Sequence, residues 1–339
     1  MKRRGLPHGG VHISTTPEAR LKIKSLQVVR MAKSEKSSKE ELIIFARNKH
    51  TPFLLVVPAL ATLICIVAYP MFWSLFYSVQ QYNPIAGAAK FVGLANFKAL
   101  FTSARFGHAV VNLVYYLFVG VVAQMILAIV VSLLLYELIK NRKVRLVLLT
   151  IFIIPMMIPP SVVGNIWKFI LIPMGGVMNS IVVNVFHRPP IEWFSAKLAL
   201  TSVMIADIWQ WTSLPLMIIF SGRVSLPESV YEASRVDGST PWMTLTRITL
   251  PMLRELIAIA FMLRFMDCYK YIDKLIIMTS GGPGEASELP SYLGYLVGVQ
   301  HFNIGEATSM VWVIALVAVG VLTLFIKFMK KVLAAQKMH

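Results

Sequence analysis

Residues 222–254 read GRVSLPESVYEASRVDGSTPWMTLTRITLPMLR, a polar stretch set between two long apolar blocks. Ser225 followed by Glu228 has capping-box spacing, with Pro227 in the first turn, so a helix is expected to run to about Val236. Asp237-Gly238 then breaks it, because glycine accepts the left-handed conformation at a helix end. Ser239 or Thr240 can cap a second helix with Pro241 at its first position, and Trp242, Leu245 and Ile248 recur at helical spacing. Pro251 is expected to close the motif as the next apolar block begins. The stretch therefore predicts a helix–turn–helix whose turn projects away from whatever the flanking blocks are buried in.

Those blocks are long enough to cross a bilayer, which takes roughly 20 apolar residues. Six segments qualify: 53–79, 110–138, 146–171, 198–221, 255–279 and 307–329. The 339 residues are 57% hydrophobic and 14% charged, and mean hydropathy is +0.68. Ordinary soluble domains run at about 45–50% apolar and 25% charged. A soluble globular chain and a disordered one are both excluded, the latter because disorder needs low hydrophobicity. Apolar blocks of this length also argue against an outer-membrane barrel, whose strands show weak alternation. The expected class is an all-α polytopic membrane protein with six transmembrane helices. Its third span carries Pro155, Pro159 and Pro160, which remove backbone hydrogen bonds. They read either as a structural bend or as a bend that shapes a cavity.

Net charge is +17, which in a soluble protein would point to nucleic acid. Its distribution says otherwise. Of the 33 Lys and Arg, 24 lie in the N-terminal tail, the loop 140–145, the stretch 222–254 and the C-terminal tail, which all fall on one side of six spans. Five lie in the opposite loops and four within spans. By the positive-inside rule both termini and 222–254 are cytoplasmic, and no nucleic-acid partner is expected. Residues 1–50 form a basic tail, 53–79 a first span and 110–329 the core. Met31 opens a second start, so residues 1–30 are expected to be dispensable or untranslated. Cys65 and Cys268 lie in apolar stretches, His187 and His301 are isolated, and no metal-ligand spacing exists, so no metal site is expected.

The fifth expected span holds Arg264, Asp267, Lys270, Asp273 and Lys274. A charge at mid-membrane costs about 2.5–3.5 kcal/mol on insertion scales, so these residues should face protein or water. Arg264–Asp267, Asp267–Lys270 and Lys270–Asp273 are i,i+3 pairs. They either compensate one another to permit insertion or line a solute path. Tyr271 shares a helical face with Arg264 and Asp267 by spacing. The loop 222–254 has two readings as well. It docks in a groove on a soluble partner, or it lies on the lipid surface. Glu228, Glu232 and Asp237 disfavour the second beside anionic lipid.

Glu232-Ala233-Ser234-Arg235-Val236-Asp237-Gly238-Ser239, followed by Ile248, Leu250 and Pro251, resembles the EAA loop of ABC-importer permeases throughout its spacing. Ser234 and Ser239 stand where alanine is usual, and Leu245 where phenylalanine is. Ala206-Asp207-Ile208-Trp209-Gln210-Trp211-Thr212, Leu263–Asp267, Ile272-Asp273 and Ser280–Gly284 resemble the carbohydrate-uptake, maltose permease-like branch, so the likeness runs from about residue 50 to the C-terminus. It implies a MetI-like permease fold in a bacterial or archaeal cytoplasmic (inner) membrane. It implies a passive half-channel that pairs with a second permease, usually as a heterodimer. Two ATPase subunits would bind ATP and Mg, and an extracytoplasmic solute-binding protein would deliver solute. Glu232, Ala233, Ser234, Asp237 and Gly238 would be the ATPase-coupling residues. The chain has no GxxxxGK[ST] loop, so it binds no cofactor of its own on this reading.

Counted outward from Glu232 and Pro251, Arg264 and Tyr271 fall where the maltose-type permeases contact sugar, as do Asp207, Trp209 and Gln210. With Trp211, Ser213 and Asp267 these supply aromatic faces for apolar sugar faces and polar groups for hydroxyls. Trp209 and Trp211 have a plainer alternative as interfacial anchors. A polyol or glycerol phosphate is an alternative solute. A membrane-embedded transferase is the competing class, but no HExxH, DxD or His/Cys cluster is present.

Overall fold

In lipid, a backbone that cannot bond to water must satisfy itself, and long apolar runs therefore become helices. The computed structural model describes residues 51–87 and 89–336, with side chains described for 56–87 and 89–331. The basic tail 1–50, the second start at Met31 and Lys337 lie outside the described residues. The chain divides between Phe72 and Trp73 into two units. The described part of the first holds α1 (Thr51–Leu63), a π-helical turn at Ile64–Ala68, and the start of α2 (Tyr69–Ser78).

The second unit continues through a short antiparallel pair, β1 (Gln80–Gln81) with β2 (Lys90–Phe91), in which Gln80 faces Phe91. There follow α3 (Ala95–Thr102), then α4 (Ala104–Tyr115), a π turn at Tyr116–Val121, and α5 (Val122–Leu138). Ser103 caps α4, its Oγ accepting from the Phe106 amide at 3.3 Å. That cap starts the second span six residues ahead of the expected 110 and draws Arg105 from its expected loop into the helix. Next come α6 (Arg142–Met157), α7 (Pro160–Leu171), α8 (Val177–Asn184), α9 (Ala199–Trp211) and α10 (Ser213–Ser225). The chain ends through α11 (Glu228–Val236), α12 (Pro241–Thr244), a π turn at Leu245–Thr249, α13 (Leu250–Tyr269), α14 (Asp273–Met278), α15 (Pro290–Tyr295) and α16 (Ile304–Gln336).

Among the described residues, four helical stretches are long and apolar enough to cross a membrane: Val56–Ser78, Ala104–Leu138, Ala199–Ser225 and Ile304–Lys331. The α6–α7 pair, bent by 98°, makes a fifth if counted as one span. These stand on five of the six expected segments. The sixth, 255–279, is not one apolar helix. It is split between α13 and α14 by a break at 270–272, and α13 carries Arg254, Glu255, Arg264 and Asp267.

The bend of the third span falls at its prolines. Pro159 and Pro160 have no N–H to continue the α6 ladder, and Pro160 instead starts α7 at its first position, where the missing donor costs nothing. Two buried side chains of the next span cover the exposed carbonyls. Gln210 gives Nε2 to the Ile158 oxygen at 2.6 Å, and the Ser213 hydroxyl donates to the Phe152 oxygen.

The core runs through Leu113, Val121 and Met125, Val203 and Ala206, Leu216 and Ile219, Leu253 and Ala260, and Leu275. It brings α5, α9, α10, α13 and α14 around a common centre. Gly222 permits the close approach of α10 to Leu253 and Leu256 on α13; a Cβ there would overlap the terminal methyls of both leucines, which would have to turn aside.

Candidate functional site

Asp207 lies in the middle of α9 among Val203, Met204 and Ala206, and its side chain is 3% exposed. A carboxylate in such a place needs donors on both oxygens. Oδ2 accepts from Arg264 Nη2 at 2.7 Å and from Gln124 Nε2 at 2.9 Å, and Oδ1 accepts from Lys274 Nζ at 2.8 Å. Arg264, fully buried, also gives Nε to Gln124 Oε1 at 2.9 Å and Nη1 to Asp267 Oδ2 at 2.7 Å. Two cations thus meet two carboxylates, and the cluster is neutral. It ties α5, α9, α13 and α14 together at their centre.

Of the three i,i+3 pairs expected on the fifth segment, Arg264–Asp267 is the ion pair that forms among the described residues. The helix stops at Tyr269, so the spacing of Lys270 and Asp273 across the break is no longer helical. Tyr271 lies beyond the helix end for the same reason. It reaches the site through the break rather than along a helical face. There it stacks on Tyr116, with ring centroids 5.0 Å apart, and Lys274 Nζ lies 4.9 Å from its ring centre.

Beside the cluster opens a cleft of about 260 Å³, lined by Trp211, Asp267, Lys270, Tyr271, Asp273 and Lys274. The Arg264 guanidinium stands 5.3 Å from the Trp211 ring centroid. Trp211, the carboxylates of Asp267 and Asp273 and the Lys270 ammonium thus line one opening, with the Lys274 ammonium closed off behind it on Asp207. The structure accordingly brings together Asp207, Trp211, Arg264, Asp267 and Tyr271. Gln210 and Ser213 are turned to the third span's backbone instead, and Trp209 packs edge-on against Trp167 at 5.9 Å. Gln124 and Tyr116 are the members that sequence reasoning missed, and Lys274 it noted only as an in-span charge. Gln124 leaves a faint signal as an amide in the middle of an apolar span.

The loop 222–254 folds as the helix–turn–helix its caps predict. Gly238, at φ +73°, ends α11 in a Schellman motif: its N–H bonds the Arg235 oxygen at 3.1 Å, and the Ser239 N–H bonds the Ser234 oxygen at 3.0 Å. Thr240 caps α12, with Oγ1 accepting from the Met243 amide at 3.3 Å. Two details differ from expectation. Ser225 is the last residue of α10, its hydroxyl bonded to the Ser221 oxygen at 2.9 Å, so no capping box forms and Pro227 takes the N-cap position. Pro251 does not close the second helix. The π turn just before it absorbs the missing donor, and the helix runs on into α13.

Within the loop, inner and outer faces separate cleanly. Tyr231 and Ser234 are buried, bonding Thr249 and Thr244 through their hydroxyls at 3.1 Å each. Serine in place of the usual alanine at 234 therefore clamps the two helices together. Glu232, Ala233, Asp237 and Gly238 face outward, with Val236 and Trp242 exposed beside them.

The family described as "Binding-protein-dependent transport system inner membrane component" matches residues 124–337, which hold the Asp207 cluster and the loop alike. The chain belongs to this family. The permease is 30% identical over 260 residues to the probable ABC transporter permease protein y4oQ of Sinorhizobium fredii, covering 76% of this chain and 82% of that one. It is 26% identical over 261 residues to the trehalose/maltose transport system permease protein MalF of Thermococcus litoralis, covering 77% and 86%. A chain in the crystal structure of a bacterial alginate ABC transporter, in complex with alginate pentasaccharide-bound periplasmic protein, superposes on the permease with a TM-score of 0.72. That match has 20% identity and covers 86% of the permease and 94% of the other chain, so the two share a fold. The named relatives are transport permeases, not enzymes.

Proposed function

We propose that this permease forms half of the translocation pathway of an ATP-driven importer for a sugar or sugar-like solute, and couples solute passage to two ATPase subunits through the loop 222–254. The observation that carries the proposal is the loop itself. A capped, internally clamped helix–turn–helix presents Glu232, Ala233, Asp237 and Gly238 outward as a rigid edge, suited to a groove on a soluble partner. ATP and Mg bind on that partner, and this chain holds no cofactor. A second permease completes the pathway as a heterodimer, and an extracytoplasmic binding protein supplies the solute.

Six spans, with both termini cytoplasmic, remain the proposed topology. The 20 residues of α13 extend about 30 Å, the thickness of a bilayer core. Arg264, one of the four charges that make that helix too polar by composition, is paired inside the protein rather than exposed to lipid. On this topology 1–50 is a cytoplasmic tail, 53–79 the first span and 110–329 the core.

The cleft beside Trp211 supports a sugar as solute, since an apolar sugar face stacks on an indole while carboxylates accept its hydroxyls. Asp207 and Arg264 are bonded to residues that line that cleft, and Trp209, Gln210 and Ser213, which lie outside its lining, belong to the proposed pathway through the resemblance alone. The test is co-expression with the ATPase and binding protein, followed by uptake of labelled oligosaccharides and labelled glycerol phosphate. ATP-dependent uptake of a sugar is expected. Uptake that runs without the ATPase would overturn the proposal, and uptake of glycerol phosphate alone would overturn the solute class.

A further inference from the structure

Arg223 closes α10 where the loop begins, and the charge pattern counts it only as one more positive-inside residue. Its side chain is nevertheless 2% exposed. The guanidinium lies between two rings, 4.0 Å from the centroid of Tyr136 on α5 and 4.0 Å from that of Tyr231 on α11. Nε and Nη2 both donate to Glu137 Oε1, at 3.0 and 2.6 Å, while Nη1 is buried without a partner. Glu137 therefore grips one edge of the guanidinium, and the two rings hold its faces. Tyr231 in turn reaches Thr249 beneath α12 through its hydroxyl.

We infer that Arg223 is a positioning residue that makes α11 move as one body with the cytoplasmic ends of α5 and α10, so that displacement of the loop by the ATPase reaches the spans instead of being absorbed in the connector. The inference rests on the proposed docking of the loop. Residues 226–227 are the direct link from α10 to α11, and neither Leu226 nor Pro227 has a side chain that can hydrogen-bond across that joint. The Tyr136–Arg223–Tyr231 sandwich braces that joint from the side. Lysine keeps the charge at this position but has no planar face to stack and no fork to hold Glu137.

The test uses the whole transporter, purified with its ATPase and binding protein and reconstituted in vesicles. Solute taken up per ATP hydrolysed is measured alongside the amount of ATPase retained. Arg223→Lys and Tyr231→Leu are expected to retain the ATPase at wild-type stoichiometry while uptake per ATP falls about fivefold or more, the scale of an ordinary coupling between sites. Tyr231→Phe, which keeps the ring, should couple normally. Wild-type uptake per ATP in Arg223→Lys would overturn the inference and leave the docking intact. Loss of the ATPase from Arg223→Lys would overturn it too, since the residue would then serve only to build the docking surface. If the unaltered permease holds no ATPase, the docking proposal falls and this inference with it.

Discussion

Lys274 reaches Asp207 across 67 residues of sequence and brings Nζ to 2.8 Å from Oδ1, with both side chains closed off from solvent. Arg264 occupies the other oxygen, so one carboxylate holds two buried cations. Asp207→Asn should leave that pair facing each other with only Asp267 in compensation, at a cost of about 3–5 kcal/mol. Thermal unfolding of the detergent-purified permease would read this as a large fall in Tm. Adding Lys274→Met should recover part of the loss by restoring neutrality. A Tm unchanged in Asp207→Asn would show that the cluster does not hold these helices.

The cleft yields a separate expectation. Trp211→Ala and Asp267→Ala should lower the rate of solute uptake several-fold, about 1–2 kcal/mol for each lost stacking or hydrogen-bonding contact. The ATPase should stay bound, because neither residue approaches the loop. Trp209→Ala, facing Trp167 instead, should have the smaller effect of the two tryptophans. Uptake at the wild-type rate in Trp211→Ala would remove the cleft from the solute path.

On the loop, backbone and side-chain effects should separate. Gly238→Val forces a β-branched residue into φ +73°, costing about 1–2 kcal/mol and loosening the turn. Glu232→Lys alters only an outward-facing side chain, so it should leave Tm unchanged yet release the ATPase on co-purification. An ATPase that remains with Glu232→Lys in full yield would rule out this edge as the contact.

Gln210→Leu removes the donor that covers the Ile158 carbonyl at the bend of the third span. A buried acceptor left without a partner costs about 1–3 kcal/mol. A fall in Tm, with the loop still holding the ATPase, is the expected result. Equal stability would mean that water or a backbone shift replaces the amide.

What the sequence makes legible here is what depends on neighbours along the chain. The turn at Asp237–Pro241 is such a case, because Gly238 and Thr240 act on amides within a few residues of themselves. The spans are another, since hydropathy sums over a window. Contacts between distant segments are different in kind. Nothing near Asp207 in sequence announces Gln124, 83 residues before it, or Lys274 after it. The spacing of Asp267, Lys270 and Asp273 suggested a ladder of ion pairs, but periodicity holds only while the helix does, and α13 stops at Tyr269. Ser225 and Pro251 depart from their local patterns for a related reason. A capping residue can equally end the preceding helix, and a proline after a π turn need not end one. Gln210 and Ser213 have sugar-site chemistry by type, yet three prolines some 50 to 60 residues earlier claim their hydrogen bonds.

The 98° corner in the third span has a mechanical consequence. A straight rod can slip lengthwise by part of a turn and still fill the groove it came from. An L-shaped one cannot, because sliding either arm drives the other sideways into its neighbours. The corner thus locks the axial position of this span against its neighbours. The bend is covered by Gln210, whose next neighbour in the chain is the tryptophan that lines the cleft, so bend and cleft are held through adjacent residues.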